Sequence, residues 1–335
     1  MIMKSSGLDE VLDIVVIGAG PAALGVLHAA RQANLRAVAI DKGPVCGALV
    51  AHPTYMRWFS TADKLEIGEF PLLITEKNPT RQEYLQYCRA FVKHFNLEVV
   101  TYREVTAITP NDDLFTIQAK DMFGREYAWE ARNVVVSTGF YDSPRMLNIP
   151  GEDLPHVSHR YSEAHFYAGH DVLVIGAGSS AAEVALELWR REARVAVAMR
   201  TERFDTKYWI EPDIENRIAE GAIACHRNTR VVEIRRDDAV LEDARGHHFT
   251  VPCDFVLAMT GYRSDTSLLE SVGASVDSQS GKPELTGNYE STVTGLYVAG
   301  TLIAGVESNV VFIENSRTHG PAIVRHILSR QIVRN

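Results

Sequence analysis

The chain has 335 residues, 46% of them hydrophobic and 23 of them glycine, enough for two domains with cores of their own. A net charge of −9, with no basic cluster, argues against nucleic acid as a partner. The polar start, Met1 to Glu10, predicts no signal peptide, and no apolar stretch is long enough to span a bilayer, so a cytoplasmic protein without a membrane partner is expected. Cys46, Cys88, Cys225 and Cys253 are far apart and form no Cys-x-x-Cys, which fits free thiols in a reducing compartment. No metal-binding spacing is present. His247-His248 reads as a solvated turn beside Gly246, and no repeat or low-complexity tract is found.

A strand is predicted over residues 11–17. It runs into Gly18-Ala19-Gly20-Pro21-Ala22-Ala23, and an alanine-rich helix follows. Such a strand–turn–helix holds a pyrophosphate, because the helix N-terminus offers free N–H groups and the positive end of its dipole. The first glycine makes the turn, the second lets the backbone approach the phosphate, and the small third residue packs helix on strand. Pro21 suits the first helical turn, where its missing N–H costs nothing. The next strand, residues 36–40, ends in Asp41, with Lys42 after it. An acid here hydrogen-bonds ribose hydroxyls and repels a 2′-phosphate, so the site suits FAD or NAD rather than NADP; a turn-capping aspartate is the plainer alternative. Cys46, five residues on, is the thiol expected nearest a flavin. It is a candidate nucleophile, set against the commoner case of a buried small hydrophobe.

Residues 134–136 form a further apolar strand leading to Ser137-Thr138-Gly139. A second fingerprint follows: residues 172–175 precede Gly176-Ala177-Gly178-Ser179-Ser180-Ala181. Its partner strand, residues 195–199, ends in Arg200, with Arg203 close behind. Guanidinium groups at this place suit the 2′-phosphate of NADPH; surface ion pairs with Glu202 and Asp205 are the alternative. Gly261 is expected beside the same nucleotide. A last strand runs from Gly295 into Gly300-Thr301. This strand and the one ending at Gly139 resemble those that close the FAD domain of two-dinucleotide flavoproteins, which places Thr138, Gly139, Gly300 and Thr301 at FAD. Phe312-Ile313-Glu314-Asn315 is expected near a helix whose N-terminus faces the flavin, with Ile313 at the cofactor. Two nucleotides on one chain imply electron traffic between them. The FAD elements flank the NADPH motif, so the predicted fold is α/β, with two Rossmann-like three-layer dinucleotide-binding domains. The NADPH domain (159–260) is inserted in a discontinuous FAD domain (1–158 and 261–335).

The layout resembles the thioredoxin-reductase-like pyridine-nucleotide flavoproteins, and within them the bacilliredoxin (bacillithiol-disulfide) reductase family of the YpdA type. The matching segments are residues 59–68 (FSTADKLEIG), 139–144 (GFYDSP), 150–155 (PGEDLP), 258–262 (AMTGY) and 312–315 (FIEN), with Arg317, His319 and Gly320. The resemblance implies FAD, NADPH and an acceptor that is a low-molecular-weight disulfide or a small redox protein, in a homo-oligomer. It implies Ser60, Lys64 and Val105 as further FAD contacts, with Tyr55 and Trp58 in the segment beside the isoalloxazine. Two features depart from the pattern. Ala22 stands where the family usually carries a cysteine, and residues 151–170 lack the cysteine pair of thioredoxin reductases. A flavin-dependent monooxygenase is a second reading, from the loose likeness of His159-Arg160-Tyr161 and Gly169-His170 to the linker of such enzymes; alternatively, His159 bonds backbone across the hinge. An FAD-binding redox sensor is a third, and Arg200 argues against it.

Overall fold

The computed structural model describes residues 3–4, 11–307 and 310–334; most of the polar start lies outside the described residues. The chain divides into two compact units. The first comprises Met1–Val50, Tyr55–Ser143 and Arg263–Asn335, the second Ala51–Thr54 and Pro144–Tyr262. The chain therefore leaves the first unit at Ser143, ahead of the expected boundary at 158. The reason is local: β8 (Val157–Ser158) pairs with a strand of the second unit, and the Pro150 carbonyl accepts the Ile234 N–H at 2.9 Å. Gly261 likewise falls in the second unit.

The first unit opens with β1 (Met3–Lys4), β2 (Leu12–Ile17), α1 (Pro21–Gln32), β3 (Ala37–Ile40), α2 (Gly47–Val50), α3 (Ala62–Leu65), α4 (Arg81–His94), β4 (Glu98–Val100), β5 (Glu104–Asn111), β6 (Leu114–Lys120) and β7 (Glu126–Val136). The second unit holds β8, β9 (Asp171–Ile175), α5 (Ser179–Arg190), β10 (Arg194–Ala198), α6 (Glu211–Ala219), β11 (Ala224–His226), β12 (Arg230–Ile234), β13 (Asp238–Glu242), β14 (His248–Pro252) and β15 (Phe255–Ala258). The chain then returns to the first unit with α7 (Ser267–Ser271), β16 (Leu296–Val298), α8 (Ile313–Ser316) and α9 (His319–Arg334).

In the first unit β4-β3-β2-β7-β16 pair in parallel, and β5, β6 and the start of β7 form an antiparallel layer. The second unit repeats the plan, with β11-β10-β9-β15-β8 parallel and β12-β13-β14 antiparallel. The repeat is one of architecture, so a search for short sequence periods does not find it.

The central strands are apolar throughout because both faces are covered. Alternate residues part to opposite sides. Ile14 and Val16 pack with the helices α1, α4 and α9, whereas Val15 and Ile17 meet Phe115, Ile117 and Trp129 of the antiparallel layer. In the second unit Val172 and Val174 face α5 and α6, and Leu173 and Ile175 face Val231, Leu241 and Val251. Each unit thus has three layers. The α4 helix starts at a capping box: Glu83 N–H donates to Thr80 Oγ1 (3.2 Å) and Thr80 N–H to Glu83 Oε2 (2.7 Å).

Helices α1 and α9 cross where Gly320 meets Gly25. A Cβ at Gly320 would lie 2.6 Å from the backbone of Gly25 and Val26. Overpacking of this kind costs about 1–3 kcal/mol. Gly320→Ala is therefore expected to lower the thermal unfolding midpoint by pushing α9 off α1, whereas Ala322→Ser, two residues on, leaves it near wild type; scanning calorimetry on both variants checks this.

Candidate functional site

The two glycine turns sit at the C-terminal ends of β2 and β9, each at the centre of its sheet. Gly18 has φ +104°, and a Cβ there would lie 2.4 Å from the Ser137 carbonyl; Gly176, at φ +143°, stands equally close to the Met259 carbonyl. No side chain can be accommodated at either position. Gly20 and Gly178 are different: nothing lies within 4 Å of the place a Cβ would take. Both are helix N-caps, and neither helix has a side-chain cap. The first amides of α1 and α5 are thus left to an anion, over a cradle with room for a pyrophosphate. Pro21 occupies the first turn of α1 as expected, and Ala22, Ala23 and Ala181 are buried beneath the turns.

Asp41 reaches the first turn. Its Oδ2 accepts the Ala19 N–H (2.6 Å) and its Oδ1 the Gly43 N–H (2.7 Å). The carboxylate therefore caps the turn, and each oxygen keeps a second lone pair with which to accept a ribose hydroxyl. Lys42 pairs with Asp142 at 2.9 Å on the surface. Val105 stands at a bulge of β5, in the segment whose Arg103 N–H bonds the Asp41 carbonyl at 2.9 Å. Thr138-Gly139 and Gly300-Thr301 end the adjacent strands β7 and β16, and Thr301 Oγ1 lies 3.5 Å from the place of a Gly139 Cβ. The segments around Lys64 and Ile313 also meet: Arg317 Nη1 donates to the Asp63 carbonyl (2.8 Å), and Lys64 Nζ lies 3.9 Å from Glu314. The Ser60 carbonyl accepts from Asn78 Nδ2 (3.2 Å), and half-buried Trp58 packs edge-on to Tyr84.

In the second unit Arg200 and Arg203 are exposed, and neither makes an ion pair with a described residue. Glu202 instead accepts from Asn228 Nδ2 (2.5 Å). The surface ion-pair alternative is thus not formed among the described residues, and Arg200 and Arg203 stay exposed in the loop that follows β10. The turn is tied to their loop by Asp205 N–H to the Ala177 carbonyl (2.8 Å) and by Thr206 Oγ1 to Ser179 Oγ (3.2 Å). Ser180 is exposed next to it. The Gly261 carbonyl accepts the Arg145 N–H at 2.9 Å.

Cys46, Cys88 and Cys253 are buried, and Cys225 is partly so. Cys46 is 1% exposed and Cys88, on α4, is fully buried. A hydrogen bond with Cys88 and then burial hold the Cys46 thiol well above its ordinary range, which opposes thiolate formation. Burial also raises Cys225, and it pushes Cys253 up to about 12. The geometry gives the nucleophilic reading of Cys46 no support. Of the linker histidines, His170 Nδ1 lies 3.2 Å from Asp254, whereas His159 Nε2 comes within 3.1 Å of Glu152 Oε1 but neither of its buried ring nitrogens makes a hydrogen bond among the described residues, to backbone or otherwise. Among the described residues no His, Cys, Asp and Glu cluster could hold a metal ion. No described helix is long and apolar enough to cross a membrane.

Two titratable residues escaped the sequence reading. Glu183, half-buried on α5, is pushed up to about 7 by burial and by Glu187 one turn on. His319 is buried and driven down to about 4 by desolvation; it lies in the quoted segment 312–320, but nothing in the sequence tells that its ring turns inward.

Two dinucleotide cradles on one chain define the class, and comparison with known proteins agrees. Residues 15–300 match the pyridine nucleotide-disulphide oxidoreductase family, to which the chain belongs. It is an FAD- and NADPH-dependent flavoprotein oxidoreductase of the disulfide-reductase type. Within that class it falls with the bacilliredoxin reductases: it is 34% identical to the bacilliredoxin reductase Bdr of Bacillus subtilis (strain 168), over 95% of this chain and 98% of the relative. The structure is similar to that of bacillithiol disulfide reductase Bdr (YpdA) from Bacillus cereus, with TM-score 0.93 and 33% identity, covering 96% and 100% of the two chains. For the Staphylococcus aureus enzyme the values are 0.90 and 32%, covering 96% and 99%. The solved structures of a thioredoxin reductase from T. acidophilum and a flavin monooxygenase from Stenotrophomonas maltophilia, 19% and 22% identical, share the fold alone.

Arg200→Ala is expected to raise the Kd for NADPH about ten- to a hundredfold and to change that for NADH by less than about twofold; titration calorimetry with both nucleotides checks this. His319 adds a pH dependence. Its folded pKa of about 4 lies below the ordinary histidine value of 6.5, so between them the unfolded chain binds the proton and the folded chain does not. Its contribution is complete above about pH 6.5 and is lost as pH falls toward 4, about 3 kcal/mol in all. Urea unfolding from pH 7 to 4 should show this slope, reduced in His319→Asn.

Proposed function

We propose that the protein takes reducing equivalents from NADPH and delivers them, by way of FAD, to a low-molecular-weight disulfide, with bacillithiol disulfide the first acceptor to try. The observation that carries this reading is the pair of uncapped glycine turns, one bonded by an acid and the other followed by two exposed arginines that form no ion pair with a described residue. Similarity along nearly the whole length to a protein named bacilliredoxin reductase supports it. FAD, when bound, supplies the two-electron chemistry. The chain binds and orients. The turn at Gly18, Gly20, Pro21, Ala22 and Ala23 takes the FAD pyrophosphate, and Asp41 takes the ribose. Thr138, Gly139, Gly300 and Thr301 line the path onward, with Lys42, Ser60, Lys64, Val105 and Ile313 as outer contacts. Gly176, Gly178, Ser179, Ser180 and Ala181 take the NADPH pyrophosphate, Arg200 and Arg203 the 2′-phosphate, and Gly261 flanks the nucleotide. Overall one NADPH, one proton and one disulfide give NADP⁺ and two thiols. A small redox protein carrying a disulfide is the same chemistry on a larger acceptor, and a reducing cytoplasm, where such acceptors are consumed, suits it. A homo-oligomer is part of the reading.

The test is to supply the purified protein with NADPH and bacillithiol disulfide without oxygen and count thiols. Two thiols per NADPH are expected. NADPH consumption only in the presence of oxygen, with a hydroxylated organic product, would move the reading to monooxygenase. Because Cys46 is sealed against Cys88, Cys46→Ala is expected to retain turnover within about twofold; a loss of tenfold or more, with FAD content unchanged, would return Cys46 to the nucleophile's place.

A further inference from the structure

His319 is the first residue of α9, 3% exposed, and its ring is stacked on Tyr289 with centroids 4.2 Å apart and planes 24° from parallel. Its Nδ1 lies 3.2 Å from the Gly300 nitrogen and accepts that N–H. The accepting nitrogen carries no proton, so the proton is on Nε2 and the ring is neutral. The low pKa of the buried ring agrees with this.

The bond matters because of where the β16 ladder stops. Ala299 N–H still reaches the Val136 carbonyl at 3.0 Å. The next amide, that of Gly300, has turned away from β7, and the imidazole is its acceptor. Gly300 is buried, at φ +76°, and a Cβ there would meet Ala22 Cβ at 3.0 Å and Ser137 Oγ at 3.5 Å. A buried amide without an acceptor costs about 1–3 kcal/mol. The backbone at this point is thus held between the first glycine turn on one side and a histidine on the other. The histidine has little freedom, since the adjoining Gly320 is locked against Gly25.

We propose that His319 is a positioning residue for FAD: by holding the Gly300 amide it fixes the Gly300–Thr301 turn and keeps Thr301 Oγ1 over Gly139. This rests on reading Gly300 and Thr301 as FAD residues. A mere core histidine would be replaceable by any ring or chain of similar volume. A positioning histidine is replaceable only by a residue with an acceptor in the same place. Asparagine Oδ1 stands where Nδ1 does; alanine offers nothing.

The experiment follows FAD release from the purified holoenzyme by flavin fluorescence, with His319→Ala, His319→Asn, and Thr301→Val and Asp41→Ala as site controls. His319→Ala is expected to release FAD at least about tenfold faster, and His319→Asn to stay within about threefold of wild type. Release from His319→Ala within twofold of wild type, or from His319→Asn as fast as from His319→Ala, overturns the proposal. If both site controls leave release unchanged, the assignment of this turn to FAD falls, and the proposal falls with it, for a reason distinct from any failure of His319 alone. Hydrogen exchange over residues 296–305 gives a second measure should the alanine variant not fold. His319→Asn is expected to keep the protection of wild type and His319→Gln, whose acceptor sits one bond further out, to lose it; equal protection in the two overturns the role.

Discussion

In both units the carbonyl of the residue between the two glycines accepts a backbone N–H from the loop after the second strand: Cys46 to Ala19 at 2.9 Å, and Asp205 to Ala177 at 2.8 Å. The donor stands five residues past Asp41 in one unit and past Arg200 in the other. This bond folds the loop back over the turn, so that the strand-end residue and the glycine turn cannot drift apart. It is also what allows the cradle to remain uncapped. The loop is held by the carbonyl of the turn, and the helix amides behind it stay unused.

On this shared frame the charge at one place sets the two units apart. Asp41 draws two amides toward itself and holds negative charge at the first turn, whereas the equivalent place in the second unit carries Arg200 and Arg203, which form no ion pair with a described residue. The proposed assignment of one nucleotide to each unit rests on this difference in charge. The thiols take no part in this division: each is withdrawn into a core or raised by burial.

The parallel sheets, the glycine turns and the need for FAD and NADPH were legible because they depend on local patterns. Residues 14–17 and 172–175 are continuous apolar runs, as strands covered on both faces must be, and the glycines follow at fixed spacing. The antiparallel layers were not read: β6 alternates apolar and polar residues cleanly, but alternation marks a strand without naming the strands it pairs with or the sheet it covers. The unit boundary at Ser143 depends on where Pro150 and Val157 find partners more than seventy residues away, and no local signal carries that. The partners of Cys46 and His319 are likewise set by packing across elements, which a spacing rule cannot see. Where side-chain identity alone was weighed, as at Arg203 with Glu202 and Asp205, sequence proximity overstated contact.

Position 46 contributes its backbone N–H to the glycine turn while its side chain is turned away into the core at a φ of +57°. A small residue with an amide hydrogen and a tolerable left-handed backbone can fill that post, since the core leaves no room for a large one. The post asks for an amide hydrogen and a small volume, not for sulfur chemistry, so a cysteine at this position is by itself no sign that a thiol is used.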